Sequence, residues 1–170
     1  MLARGAVLFK WALYALAALL CVFFQTAMLQ RFTLWGVIVF LYPLIAAIPA
    51  TYEGPVAGTA FALGAGVFCD LLLPSPIPCF YTLIFPLAGL CAAILAKNLL
   101  SAGVLCSLAA GAAAFLLTGL FHAVVLWLRG QGAWGASVSV TARELLVSLP
   151  WAVPMTFLFR AVHLRTRTDD

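Results

Sequence analysis

Residues 53–70, EGPVAGTAFALGAGVFCD, begin and end on the only carboxylates that precede Glu144. Between them Gly54, Gly58, Ala62 and Gly66 recur at four-residue steps, and the next step lands on Asp70. On a helix such steps share one face, drifting slowly around the axis. A row of small side chains lets another backbone approach closely, which is how helices associate in a bilayer. A continuous helix would hold Glu53 and Asp70 about 26 Å apart, close to the thickness of a hydrocarbon core. The stretch therefore predicts a membrane-spanning helix with an acid near each surface.

Composition places the whole chain in the same medium. Of 170 residues, 66% are hydrophobic and 8% charged, against about 25% charged in an ordinary soluble domain. The chain reads as one transmembrane domain over residues 1–170, an all-α integral membrane protein. Its net charge of +4 comes mostly from segment ends, so it speaks about topology and not about nucleic acid. Cys21, Cys69, Cys79, Cys91 and Cys106 are scattered through apolar stretches without metal-ligand spacing and read as small hydrophobes. The first apolar run, Trp11 to Met28, is too long for a signal peptide and precedes no cleavage site, so it reads as a retained helix.

Six apolar segments can be counted: about Trp11–Met28, Phe32–Ala50, Glu53–Leu73, Cys79–Ala96, Ala102–Leu128 and Thr141–Phe159. Pro43 and Pro49 interrupt the second, and Pro86, Pro150 and Pro154 should bend the fourth and sixth. The loop LPSPIP (73–78) should be stiff. GQGAWGASVSV after Arg129 reads as a glycine-rich loop, and Thr141 with Glu144 as a capping box that starts the last helix. With the N-terminus inside, Arg4, Lys10, Lys97, Arg160, Arg165 and Arg167 fall on the cytoplasmic side, against Arg31, Arg129 and Arg143 outside. That imbalance predicts a bundle of six transmembrane helices, N-in/C-in.

Few side chains offer chemistry. Glu53 sits at a helix start, where the dipole favours negative charge, and reads as an anchor. Asp70 lies near a helix end, where the dipole disfavours it, followed by three leucines. It needs a partner, either another helix or another protein. His122 has no second ligand at helical spacing and reads as a bundle residue, and His163 as interfacial. No nucleophile elbow, zinc-helix motif or phosphate loop is present. The expectation is no enzyme, no catalytic residue, no cofactor and no metal.

At its second and third segments the chain resembles the rod shape-determining protein MreD family. The likeness rests on Pro43, then Glu53-Gly54, the glycine-rich run through Gly58, Gly64 and Gly66, and Asp70. Length, span count and a short basic C-terminus also agree. The resemblance implies a multi-pass scaffold of the bacterial cytoplasmic (inner) membrane that partners the bitopic protein MreC. Through it the scaffold would meet the rest of the elongation machinery, supporting lateral peptidoglycan synthesis and rod shape. It implies no cofactor. Pro43, Glu53, Gly54, Gly58, Gly66 and Asp70 then become helix-packing and partner-contact residues, joined by Ala62 from the four-residue row. The lipid bilayer is a partner in either case, and a homo-oligomer is left open. The substrate-binding components of energy-coupling-factor vitamin transporters share the helix number and length. On that alternative a vitamin-sized pocket should open near the outer face, lined by LPSPIP and residues 129–140.

Overall fold

In hydrocarbon every backbone N–H and C=O must find its partner within the chain, and the architecture is almost entirely helix for that reason. The computed structural model describes residues 2–31, 33–131 and 134–166. Arg167 and the proposed segment start at Phe32 lie outside the described residues. Six helices follow in order: α1 (Leu2–Ala27), α2 (Tyr42–Leu72), α3 (Phe80–Asn98), α4 (Val104–Leu128), α5 (Trp134–Ser148) and α6 (Ala152–Thr166). Short 3-10 turns sit at Leu29–Arg31 and Leu149–Trp151, and a two-stranded hairpin pairs β1 (Thr33–Leu34) with β2 (Val37–Ile38). Five helical stretches are long and apolar enough to cross a membrane: Gly5–Arg31, Tyr42–Leu72, Phe80–Asn98, Val104–Leu128 and Trp134–Thr166.

The count differs from the six expected segments because the second and third share one stretch, α2, broken at a single residue. Gly54 adopts φ 80° and ψ −180°, a region open essentially to glycine alone. In a straight helix Ala50 and Gly58 would lie about 12 Å apart. Here a Cβ built on Gly58 would stand 2.5 Å from Ala50 Cα. The arms 42–53 and 55–72 therefore fold back on each other. Pro55 opens the second arm and Pro43 the first, both at positions where proline has no hydrogen bond to break. Pro43 thus starts a helix where it was expected to interrupt one.

The first arm is short, 12 residues or about 18 Å, and the chain ahead of it is not helical. Residues 33–38 form the hairpin, turned by Trp35 and Gly36 at φ 54° and 78°, the positive-φ pair that a two-residue loop requires. Residues 39 and 40 then run without helical bonding in the core, and Leu41 caps the first arm, its carbonyl accepting from Leu44 N and Ile45 N at 3.0 Å; Val39 and Leu41 are each 2% exposed. Side chains replace the missing ladder. Gln25 of α1 donates to Val39 O and accepts from Leu41 N at 2.8 Å. Ser148 Oγ accepts from Phe40 N at 2.8 Å. Non-helical backbone at this depth is stable only where protein supplies such partners.

The row of small residues is used inside the bundle. A Cβ on Gly66 would meet Tyr81 O at 2.6 Å and Thr82 Cα at 2.9 Å. A Cβ on Gly89 would meet Ala62 Cβ at 2.7 Å. The arm 55–72 thus runs antiparallel to α3 at backbone contact. Farther along, α4 packs antiparallel to α5, with Gly119 facing Thr141 and Gly111 facing Leu44 and Leu149.

Of the glycine-rich loop expected after Arg129, Trp134 to Val140 is helical, and Gly132 and Ala133 lie outside the described residues. From Trp134 onward the chain is α5, and Thr141 lies inside it, its hydroxyl bonded to Ser137 O at 3.0 Å. The capping-box start at Thr141 is corrected accordingly. Gly, Ser and Val are weak helix formers in water, but an apolar medium leaves the backbone no other partner than its own helix. The bend expected from Pro150 takes the form of the 3-10 turn between α5 and α6.

Candidate functional site

Three carboxylates lie within the helical bundle, each at a different level. Glu53 ends the first arm of α2, and the turn at Gly54 points it into the bundle. Lys10 and Tyr14, one turn apart on α1, reach it from one side, and His163 of α6 from the other. Lys10 Nζ pairs with Oε2, Tyr14 Oη donates to Oε1 at 2.7 Å, and His163 Nδ1 lies 2.8 Å from Oε1. The Glu53 side chain is 5% exposed. Aromatic rings close the knot: Tyr14 stacks on Phe159 at 6.1 Å, and Tyr52 lies 5.6 Å from the His163 ring. Glu53 therefore ties together α1, the α2 turn and α6, the first and last helices included. More than an interfacial anchor, it is the hub of a charged cluster.

Asp70 stands at the opposite end of the same hairpin. Its Oδ1 accepts from Tyr81 N at 3.0 Å, and its Oδ2 from Thr82 N at 2.8 Å and from Thr82 Oγ1 at 2.6 Å. Those amides belong to the first turn of α3, which no side chain of its own caps. Helix starts leave N–H groups unpaired and attract negative charge. The unfavourable dipole of the helix that carries Asp70 is thus offset by that of the next one. Both its oxygens are engaged within the chain, and Gly66 one turn earlier lets α3 come near enough.

Glu144 of α5 has neither kind of support. It lies on the wall of a cleft of about 380 Å³ between α3, α4, α5 and Phe40, at the end of the bundle that holds Asp70. Phe40, Tyr81, Phe115, His122 and Gln131 share the wall. Glu144 is half-buried, and no Lys, Arg or His nitrogen comes within 4.0 Å of it among the described residues. His122 meets Phe80 edge-on at 5.6 Å. Of the two loops expected to line a pocket, only 129–140 contributes, through Gln131, Ala136, Ser137 and Val140; LPSPIP does not.

A second, largely apolar groove of about 550 Å³ runs between α1 and α2, lined by Trp11, Ala15, Ala18, Ala60, Gly64 and Phe68 among others. Nothing lies within 4 Å of a Cβ built on Gly64. The arm thus has two four-residue rows. The one through Gly58, Ala62, Gly66 and Asp70 packs inward, and Ala60, Gly64 and Phe68 face the groove.

The expected site residues Glu53 and Asp70 do not come together; they mark opposite ends of α2. Pro43 starts the first arm, Gly54 makes the turn, and Gly58, Ala62 and Gly66 pack on Ala50, Gly89 and α3. Sequence reading missed Gln25, Ser148, Lys10, Tyr14 and Glu144 as polar groups with work to do. Gln25 and Glu144 carried a signal, a strongly polar side chain inside an otherwise apolar segment. All five cysteines are free, including Cys69 and Cys79. No group of three metal-ligating side chains occurs among the described residues. Comparison with protein-family models, curated proteins and solved structures finds no match.

Proposed function

We propose that this chain is an MreD-like scaffold of a bacterial inner membrane, binding a single-span MreC-like protein within the cell-wall elongation machinery. In this reading the chain crosses the membrane six times, N-in/C-in, the second crossing made jointly by residues 39–41 and the arm 42–53. Support for a shared side comes from Glu53, which meets Lys10 near the start of α1 and His163 near the end of α6.

The observation that carries the partner assignment is the open row Ala60, Gly64 and Phe68 beside the apolar groove. Small residues on a membrane-facing helix offer a close-packing floor, and the chain itself does not fill it. Its occupant in this reading is the transmembrane helix of the MreC-like partner. The inward row through Gly58 and Gly66 is then a folding element and not the docking face. Gly64→Leu is expected to abolish co-purification with the partner while leaving thermal stability within a few degrees of wild type. Retained co-purification in that variant, with normal cell shape, would remove the groove from the assignment.

A transporter substrate-binding component is the second reading, and the cleft beside Glu144 favours it. Loss of rod shape on depletion supports the scaffold, and loss of vitamin uptake supports the transporter.

A further inference from the structure

The cleft between α3, α4 and α5 has a composition that selects for one kind of ligand, and this selection rests on neither reading of the whole protein. Its wall is apolar apart from the Glu144 carboxylate, the His122 imidazole, the Tyr81 phenol, the Gln131 amide and the hydroxyls of Thr118, Ser137 and Thr141. Three aromatic rings, Phe40, Tyr81 and Phe115, contribute to the same wall. A volume of about 380 Å³ falls in the range of small-molecule sites, roughly 300–1,000 Å³. The carboxylate is the decisive group. Glu53 and Asp70 are each met by three donors from the chain, whereas Glu144 has no cationic partner among the described residues. An acid held within a span without a partner marks a site whose partner comes from outside. Aromatic faces attract cations and, with a carboxylate, make the usual cage for an organic ammonium group. An anion would meet the Glu144 carboxylate with no lysine or arginine on the wall to offset it, and a single carboxylate with one imidazole is a poor donor set for a hard metal ion.

We propose that this cleft binds an organic ammonium ion, its charged head against Glu144 and its apolar part among Phe40, Tyr81 and Phe115. The ammonium could belong to a dissolved amine or to an aminated lipid headgroup, since the cleft is open at its mouth. Both present the same charge and the same alkyl surface.

Purified full-length protein in an amine-free detergent tests the first source, with choline as the probe and 3,3-dimethylbutan-1-ol as its neutral isostere. Dicyclohexylcarbodiimide labelling of Glu144, read by mass spectrometry, should fall saturably with choline and stay unchanged with the alcohol. In Glu144→Gln the thermal shift produced by choline should weaken on the order of tenfold or more in apparent affinity, as loss of a charge-assisted contact implies. Phe115→Leu should weaken it several-fold. The second source is tested in nanodiscs, where phosphatidylethanolamine should protect Glu144 from labelling relative to phosphatidylglycerol. Protection by choline assigns the site to a solute, and protection by phosphatidylethanolamine alone assigns it to lipid. The labelling measurement uses the wild-type chain, so it decides even where a variant fails to fold. Absence of protection in both settings, or equal protection by the neutral alcohol, overturns the proposal.

Discussion

Glu53 and Glu144, at opposite ends of the bundle, are treated in opposite ways. At the Gly54 end, Glu53 is gripped by a lysine, a tyrosine and a histidine drawn from two other helices. At the other end, half-buried Glu144 faces an open cleft with no Lys, Arg or His nitrogen within 4.0 Å among the described residues. Sequestering a carboxylate from water is costly unless the chain supplies charge and hydrogen bonds in return. Where the chain does so, the acid is part of the framework. Where it does not, the acid is kept for some other purpose, and the fold must be stable without its help.

The largest effect should come from breaking the framework end. Glu53→Ala leaves Lys10, a quarter exposed, with no counter-charge, and Tyr14 and His163 without their acceptor. Loss of one partner of such a pair costs about 3–5 kcal/mol, and reversible unfolding in mixed detergent micelles should show it. Lys10→Met with Glu53→Leu removes both charges and should recover much of the loss, because the penalty lies in the orphaned charge. A double variant no better than Glu53→Ala would mean that Tyr14 and His163 carry the cluster instead.

Next in size is the non-helical segment that completes the first arm of α2. Gln25→Leu strips Val39 O and Leu41 N of their partner, and each buried orphan costs about 1–3 kcal/mol. Gln25→Glu keeps both contacts only as the neutral acid, whose hydroxyl can donate to Val39 O; ionised, it puts an unpaired charge in the core, so its stability should fall as pH rises. Hydrogen exchange at Leu41 is the local readout. An exchange rate unchanged in Gln25→Leu would show that the segment does not depend on α1.

Asp70 lies between the extremes, since its partners are neutral amides and one hydroxyl. Asp70→Ala removes a cap from α3 and should cost about 1–2 kcal/mol, in the range of helix-cap replacements. Asp70→Asn should cost less, because the amide oxygen still accepts. Thr82→Val separates the hydroxyl contact from the two amide contacts and should have the smallest effect of the three.

How much of this could be read from residues alone depends on the distance over which each interaction acts. The apolar stretches and the inward glycine row are local patterns, repeated at helical spacing, and the packing of Gly58, Ala62 and Gly66 follows them. Gly54 was marked as part of the row but not as the turn, since spacing does not encode a single residue's φ. The non-helical residues 39 and 40 do not show in the sequence, because a buried non-helical stretch and a buried helix are equally apolar. Only Gln25, 14 and 16 residues earlier in the chain, betrays that something there needed bonding. The Glu53 cluster joins residues 39 and 110 positions apart, and no local rule pairs them. Asp70 looked unsupported because the helix it caps begins beyond a proline-rich loop.

Glu144 should give the smallest stability change, and that small value is the sharpest test of the contrast. Glu144→Gln has no ion pair to lose among the described residues, and it relieves the desolvation of a half-buried charge. Its unfolding free energy should stay within about 0.5 kcal/mol of wild type, like a substitution outside any structural network, or rise slightly. A loss approaching that of Glu53→Ala would place Glu144 in the framework and dissolve the difference between the two ends. Near-neutrality has a further meaning beside the large cost at Glu53. A carboxylate that contributes nothing to stability, on a wall that an alanine or leucine could complete as well, is there for what enters the cleft.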